Sequence, residues 1–167
     1  MSISLSHRDG VAARALAQST IPLGCDPELI ETRSDAFVGD YFTEKEQALI
    51  VGRRDSERDR LVTTSWSAKE SALKALRVGL RAGTRSVDIC LCGQRSDWDE
   101  QPGKNELGLS ARYCSFDEWH PFQAALENGQ VLYGWRNAST SLVKTLATIQ
   151  VAKPPIFVSS DTPHHSP

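Results

Sequence analysis

The sequence predicts an α+β domain rather than a parallel α/β sheet. Three observations predict it: strand-like alternation near the N-terminus, two helix-patterned stretches between Thr43 and Val78, and short apolar segments separated by turn residues from Ser86 onward. With 167 residues and 40% hydrophobic content, the chain suits one domain with its own core. That domain is expected over residues 1–150, with 151–167 as a tail or linker.

Ile3 and Leu5 alternate with serines over residues 2–6, Arg8-Asp9-Gly10 supplies a turn, and residues 11–17 resume as a strand, giving a hairpin. The alternation starts at Ser2 with no basic and hydrophobic stretch before it, so no secretory leader is expected. Residues 21–26 read as a third strand. Pro27 ends it or places it at an edge, because proline cannot donate a ladder hydrogen bond. Thr43, with Glu46 three positions on, makes a capping box for a helix carrying Ala48, Leu49 and Ile50, interrupted at Gly52.

Seven of the eight residues from 53 to 60 are charged, as in a solvated loop or helix face. A second helix is expected over about residues 67–78. Ala68, Ala72, Ala75 and Leu76 lie on one side, Lys69, Glu70, Lys74 and Arg77 around the other, and Gly79 and Gly83 close it. Strands follow at 86–92, 107–116, 131–136 and 142–151, separated by turns such as Gln101-Pro102-Gly103 and Glu127-Asn128-Gly129. From Lys153 the chain is rich in Pro, Ser and His and has little to bury. His164 and His165 in that tail are not expected to bind metal.

Charge and cysteine content narrow the function classes. Lys plus Arg total 19 against 21 for Asp plus Glu, so no global field draws in nucleic acid or an anionic membrane. No apolar run approaches the roughly 20 residues that span a bilayer. The cysteines at 25, 90, 92 and 114 form no CxxC pair, which argues against zinc ribbons and thioredoxin-like centres and for reduced thiols in a cytoplasmic protein. Cys90 and Cys92, two apart, share one strand face, expected to be a core face.

Asp26 and Glu28 are also two apart, so their carboxylates leave one strand face about 7 Å apart along the backbone. They read either as two solvated acids or as a pair sharing a cation. In Trp66-Ser67-Ala68-Lys69-Glu70-Ser71-Ala72-Leu73-Lys74, the i, i+4 spacing sets Glu70 and Lys74 one turn apart on one helix face. Here too a bland reading stands beside the functional one: Ser67 and Glu70 fit a capping box, and Glu70 followed by Lys74 fits a surface ion pair. Trp66 is a core anchor under either reading.

Gly24-Cys25-Asp26-Pro27-Glu28, followed by Trp66-Ser67-Ala68-Lys69-Glu70 and Lys74, resembles the paired signature of the 4'-phosphopantetheinyl transferases. Ser4-Leu5-Ser6-His7 is similar to the family's strand ending in a Ser-His that contacts coenzyme A. Tyr41-Phe42-Thr43 with Glu46 resembles its aromatic-rich helix start, and Lys74 through Gly79-Leu80 its helix exit. The resemblance implies the family fold, an antiparallel sheet packed against two or three helices. It implies transfer of 4'-phosphopantetheine from coenzyme A to a serine of an acyl or peptidyl carrier protein of a fatty-acid, polyketide or nonribosomal peptide assembly line, with release of 3',5'-ADP.

The resemblance also assigns roles. Asp26 and Glu70 are the implied Mg2+ ligands, with Glu28 contributing directly or through water, a small carboxylate set of the kind magnesium uses. Lys74 stands near the phosphates, His7 holds a phosphate of coenzyme A, and Lys69 belongs with the coenzyme contacts. For His7 the alternative is a strand-end histidine facing water. The general base is Glu70, Glu46 or a water on the cation, and Glu46 also reads as an ordinary capping-box acid. The larger members of the family hold the coenzyme between two similar halves, and most of the first half has no counterpart here. The chain is thus expected to be a domain of a longer protein, a half-sized protein that oligomerises, or a degraded copy. Cys25, where a β-branched aliphatic is usual, is a further departure. A non-catalytic module that docks a carrier protein or stabilises a larger synthase is the competing reading.

Overall fold

The computed structural model of the chain describes residues 1–17, 20–91, 118–150 and 153–156. Strands β1 (Ser2–Arg8) and β2 (Val11–Ala17) form a two-stranded hairpin. Its turn places Asp9 and Gly10 at positive φ, the conformation that an Asp-Gly pair adopts most readily. A second, antiparallel sheet contains β3 (Leu23–Leu29), β4 (Val87–Cys90), β5 (His120–Leu126), β6 (Val131–Ala138) and β7 (Leu142–Thr148) in the order β3-β7-β6-β5-β4. Helices α1 (Asp35–Tyr41), α2 (Glu44–Ile50) and α3 (Asp55–Ala75) connect the third strand to the fourth. This is the expected α+β architecture, an antiparallel sheet with three helices.

The long helix α3 lies on the sheet. Its sheet-facing residues are small, with Ser67, Ala68, Ser71, Ala72 and Ala75 all buried. Small side chains let the helix approach β3 until backbones meet: a Cβ added at Gly24 would lie 1.9 Å from the Ser71 carbonyl oxygen and 2.6 Å from the Ala75 amide nitrogen. Hydrogen bonds fix the approach. The Ser67 hydroxyl donates to the Asp26 carbonyl at 2.9 Å, and the Thr145 hydroxyl donates to the Ser67 carbonyl at 2.8 Å, which ties α3 to β3 and β7. Phe42, Val62, Leu73, Val87, Phe122, Ala124 and Leu132 complete the core.

Several expectations change. The second helix starts at Asp55, so the charged run is its solvated first turns, with Asp55 and Glu57 placed favourably at the positive end of the helix dipole. Ser67 is therefore buried in mid-helix and caps nothing. Its hydroxyl is taken by Asp26 and Thr145. Strand β3 runs two residues beyond Pro27 instead of ending there, and of the two expectations for the proline the edge position is the one that holds, since β3 is an edge strand of its sheet. Cys90 lies half-buried on the face of β4 opposite the core, since Val87 and Ile89 take the inward positions. Helix α1, capped by the Ser34 hydroxyl, and strand β5 were not foreseen. The strand expected at 107–116, together with Cys92, Cys114, His164 and His165, lies outside the described residues. The capping box at Thr43 and Glu46 forms as expected. No helix among the described residues is long and apolar enough to cross a membrane.

Substituting Gly24→Ala should destabilise the protein by about 3 kcal/mol or more, because backbone lies on both sides of the added methyl and neither can yield cheaply. Gly39→Ala, in α1 with open space around it, should instead gain up to about 1 kcal/mol from helix propensity. Urea unfolding of the two variants measures both signs.

Candidate functional site

Strand β3 is covered on both faces, by α3 on one and by the hairpin on the other, and Gly24 through Glu28 are all buried. The hairpin is held to the strand by the Ser4 hydroxyl, which accepts the Cys25 N–H at 3.0 Å, while the Cys25 thiol donates to the Ser4 carbonyl. Alternation then turns Asp26 and Glu28 to the same side as Gly24, toward α3. Both acids are nearly closed to solvent, at 4% and 6% exposure.

Helix α3 brings Glu70 and Lys74 to the edge of these acids. The Lys74 ammonium donates to Asp26 Oδ1 at 2.6 Å and to the Ser6 hydroxyl at 2.8 Å, with a longer contact to the Cys25 carbonyl at 3.5 Å. The Ser6 hydroxyl in turn donates to the same Asp26 oxygen at 3.0 Å. Lys74 thus pairs with Asp26, and the surface ion pair with Glu70 does not form. Among the described residues Glu70 has no hydrogen bond or ion pair. Burial raises its pKa first, the Asp26 charge raises it further, and Lys74 offsets part of the shift.

The other two acids are raised for related reasons. Burial dominates at Asp26, opposed by the hydrogen bond and charge of Lys74. At Glu28 burial leads again and the Asp26 charge adds to it, while Arg8 and Arg33 act in the other direction. Those two guanidiniums approach Glu28 Oε2 at 3.6 and 3.5 Å, near enough for charge but without a hydrogen bond. Both also reach Glu31, and Arg8 is close to Asp9.

These groups fit a hard cation. Asp26 Oδ2 and Glu28 Oε2 are buried acceptors with no hydrogen-bond partner, a costly arrangement unless something positive completes it. Five carboxylates (Asp9, Asp26, Glu28, Glu31, Glu70) face three cations (Arg8, Arg33, Lys74), a formal surplus of two negative charges. No three His, Cys, Asp or Glu side chains among the described residues form a ready-made cage. Oxygen donors in small number, without a cage, suit Mg2+ better than zinc, since magnesium keeps waters and binds together with substrate phosphates.

Three residues singled out from the sequence lie elsewhere. Lys69 is fully buried on the opposite flank of α3, with its ammonium paired to Glu46 at 2.8 Å and donating to the Thr84 carbonyl at 2.9 Å and to the Val87 carbonyl. Glu46 accepts from the Thr43 and Ile89 amides as well. Burial lowers the Lys69 pKa and raises that of Glu46, and the attraction between them opposes both shifts. The structure keeps this pair out of the acid cluster. His7 is exposed and alternates with Ser6 along β1, so it points away from Asp26. Arg8 and Arg33 went unrecognised in the sequence. Period-2 alternation along β1 could have found Arg8, because Ser4, Ser6 and Arg8 share the face turned to β3. Arg33 sits in a connection and left no pattern.

Around the cluster, Trp66 lies one turn before Glu70 and packs edge-on against Phe37 and Tyr41, at centroid distances of 5.0 and 5.3 Å. An open depression of about 460 Å³ lined by Thr43, Lys45, Arg85, Asp88 and Glu127 is on the β4 side, and none of the clustered acids contributes to its lining.

A family model described as the 4'-phosphopantetheinyl transferase superfamily matches residues 22–127, well over half of the chain. The matched span contains Asp26, Glu28, Glu70 and Lys74. No curated protein matches the chain.

A carboxyl held above its ordinary range binds its proton more tightly in the fold than in the unfolded chain, so the stability it contributes falls as pH rises through that interval. With a chelator present, the thermal midpoint should decline as pH rises above the ordinary carboxylate range, and Glu70→Gln should flatten that decline and raise the midpoint at neutral pH. Thermal unfolding between about pH 5 and pH 8 reads both effects. A lower midpoint for the variant at neutral pH would mean that Glu70 is favourably paired.

Proposed function

The chain belongs to the 4'-phosphopantetheinyl transferase superfamily, and from that premise we propose that it transfers 4'-phosphopantetheine from coenzyme A to a serine of an acyl or peptidyl carrier protein, with Mg2+ as cofactor and 3',5'-ADP as the other product. One observation carries the reading: acids from β3 and α3 meet at a buried cluster in which one oxygen of Asp26 (Oδ2) and one of Glu28 (Oε2) have no hydrogen-bond partner among the described residues. A purely structural domain has no use for such an arrangement, because each unsatisfied buried acceptor lowers stability.

Asp26 and Glu70 would hold the magnesium, with Glu28 contributing directly or through water. Bound there, the cation would supply positive charge to the diphosphate oxygens of coenzyme A. The carrier serine oxygen attacks the β-phosphorus, the bond to the bridging oxygen breaks, and 3',5'-ADP leaves with the electron pair. Glu70 is the base candidate with an oxygen free to accept the serine proton, and burial has already raised its proton affinity. Glu46 serves the fold instead, since its carboxylate is held by Thr43, Ile89 and Lys69. Lys74 adds positive charge where negative charge develops.

His7 would reach a coenzyme phosphate from the outer face of the hairpin. That face also carries Ile3 and Leu5, 57% and 68% exposed, which supports a pocket completed by a second surface, either another half of a longer chain or another copy of this one. The Cys25 thiol, which forms no disulfide among the described residues, agrees with a reducing, cytoplasmic setting.

The test is transfer of a fluorescent pantetheine from its coenzyme A adduct to an apo carrier protein, with magnesium or with chelator. Wild-type protein should label the carrier only with the cation. Asp26→Asn and Glu70→Gln should lose roughly 10²-fold or more in rate while keeping the far-UV circular dichroism of the wild type. If the wild type labels nothing at any protein concentration, a non-catalytic docking module is the better description.

A further inference from the structure

We propose that Lys74 is the resting counter-ion of the Asp26 carboxylate, and that binding of a divalent cation displaces its ammonium and frees it to meet an anionic diphosphate. The inference rests on the cation site proposed above and specifies how that site is kept before it is loaded.

The two oxygens of Asp26 are treated unequally. Oδ1 receives both the Lys74 ammonium and the Ser6 hydroxyl, whereas Oδ2 is buried and receives nothing. Lys74 spends all three of its N–H donors on this edge of the molecule, on Asp26, Ser6 and the Cys25 carbonyl, and none on Glu70 one turn away. Among the described residues the Glu70 carboxylate feels the charges of Asp26 and Lys74 but forms no hydrogen bond or ion pair, and Glu28 Oε2 has no hydrogen-bond partner. Lys74, even with Arg8 and Arg33 beside Glu28, leaves all three acids raised by burial, two of them raised further by Asp26. A doubly charged ion can offset that.

Once such an ion draws on Asp26, the ammonium 2.6 Å from the same carboxylate faces like-charge repulsion and a weakened acceptor. Its side chain is 30% exposed on a flexible four-carbon stem, so a route toward solvent exists. Ser6, which accepts from Lys74 and donates to Asp26, can keep the carboxylate oriented after the lysine leaves. The lysine charge then becomes available to a phosphate only after the cation has bound.

Two measurements test this in the intact chain without coenzyme A. Manganese titration followed by electron paramagnetic resonance should show Lys74→Met binding Mn2+ roughly tenfold tighter than wild type, since the competing charge is gone. Equal or weaker binding by the variant overturns the proposal. Removing a positive charge nearby would tighten binding even if the lysine never moved, so the second measurement is the specific one. Acylation of lysines by an amine-reactive reagent, read by mass spectrometry, should become several-fold faster at Lys74 when Mn2+ is added, with Lys45 as the exposed reference. If Mn2+ binds and the Lys74 rate is unchanged or falls, the counter-ion idea fails and the transferase reading stands. If Mn2+ binds neither protein, the cation site fails and both ideas fall with it.

Discussion

Helix α3 and strand β3 touch backbone to backbone, and the acid cluster follows from that contact. Gly24 provides the space, since any side chain there would collide with the Ser71 carbonyl. Two residues along the strand, Asp26 is then within reach of a lysine in the last turn of the helix, and its own carbonyl takes the Ser67 hydroxyl. The small side chains along the buried face of α3 give up apolar burial at those positions in exchange for this approach. Part of the loss is recovered in hydrogen bonds from Ser67 and Thr145, which are strong because no water competes for them.

Holding three carboxylates near one another inside a protein disfavours folding. The raised proton affinities of Asp26, Glu28 and Glu70 are that penalty in another form, because each expresses the difficulty of keeping a charge away from water. The surrounding cations reduce it without removing it. Lys74 satisfies one oxygen of Asp26, and Arg8 and Arg33 face Glu28 at distances too long for hydrogen bonds. A fold selected only for stability would relax such a site by exchanging an acid for an amide or an apolar side chain. Its place within the span matched by the transferase family agrees with the proposal that this cost serves a ligand.

Much of this was legible in the sequence, and what was not has physical causes. The hairpin announced itself through alternation and an Asp-Gly turn, and α2 through its capping box, because both signals are local. Helix α1 has only seven residues, too few for periodicity to build up. Helix α3 was read as starting twelve residues late because Ser67 and Glu70 imitate a cap. The true start at Asp55 follows Arg54, whose side chain makes no cap bond. In the hairpin the apolar residues Ile3 and Leu5 face outward and Ser4 and Ser6 inward, the reverse of what hydrophobicity suggests. The inversion has a reason in the site, since β3 needs a hydroxyl for the Cys25 amide and Asp26 needs one for its carboxylate. Asp26, Glu28, Glu70 and Lys74 were identified as a set only by resemblance. Spacing alone left each with a bland explanation.

The two lysines of α3 meet different surroundings. Lys69 and Lys74 are five residues apart, which separates them by about 140° around the helix, so they enter different environments although both lie in one motif. Lys69 has no solvent contact, three acceptors for three protons, and a partner carboxylate that is itself fully bonded. Nothing in that pair is left to interact with a substrate, and it fastens α3 to α2 and β4. Lys74 keeps partial exposure and shares a carboxylate whose second oxygen is unbonded, beside Glu70, whose carboxylate has no hydrogen bond or ion pair among the described residues. Burial and charge are present in both pairs, so neither property distinguishes them. Unsatisfied valence does, because only the group with bonding capacity left over can gain from a ligand's arrival.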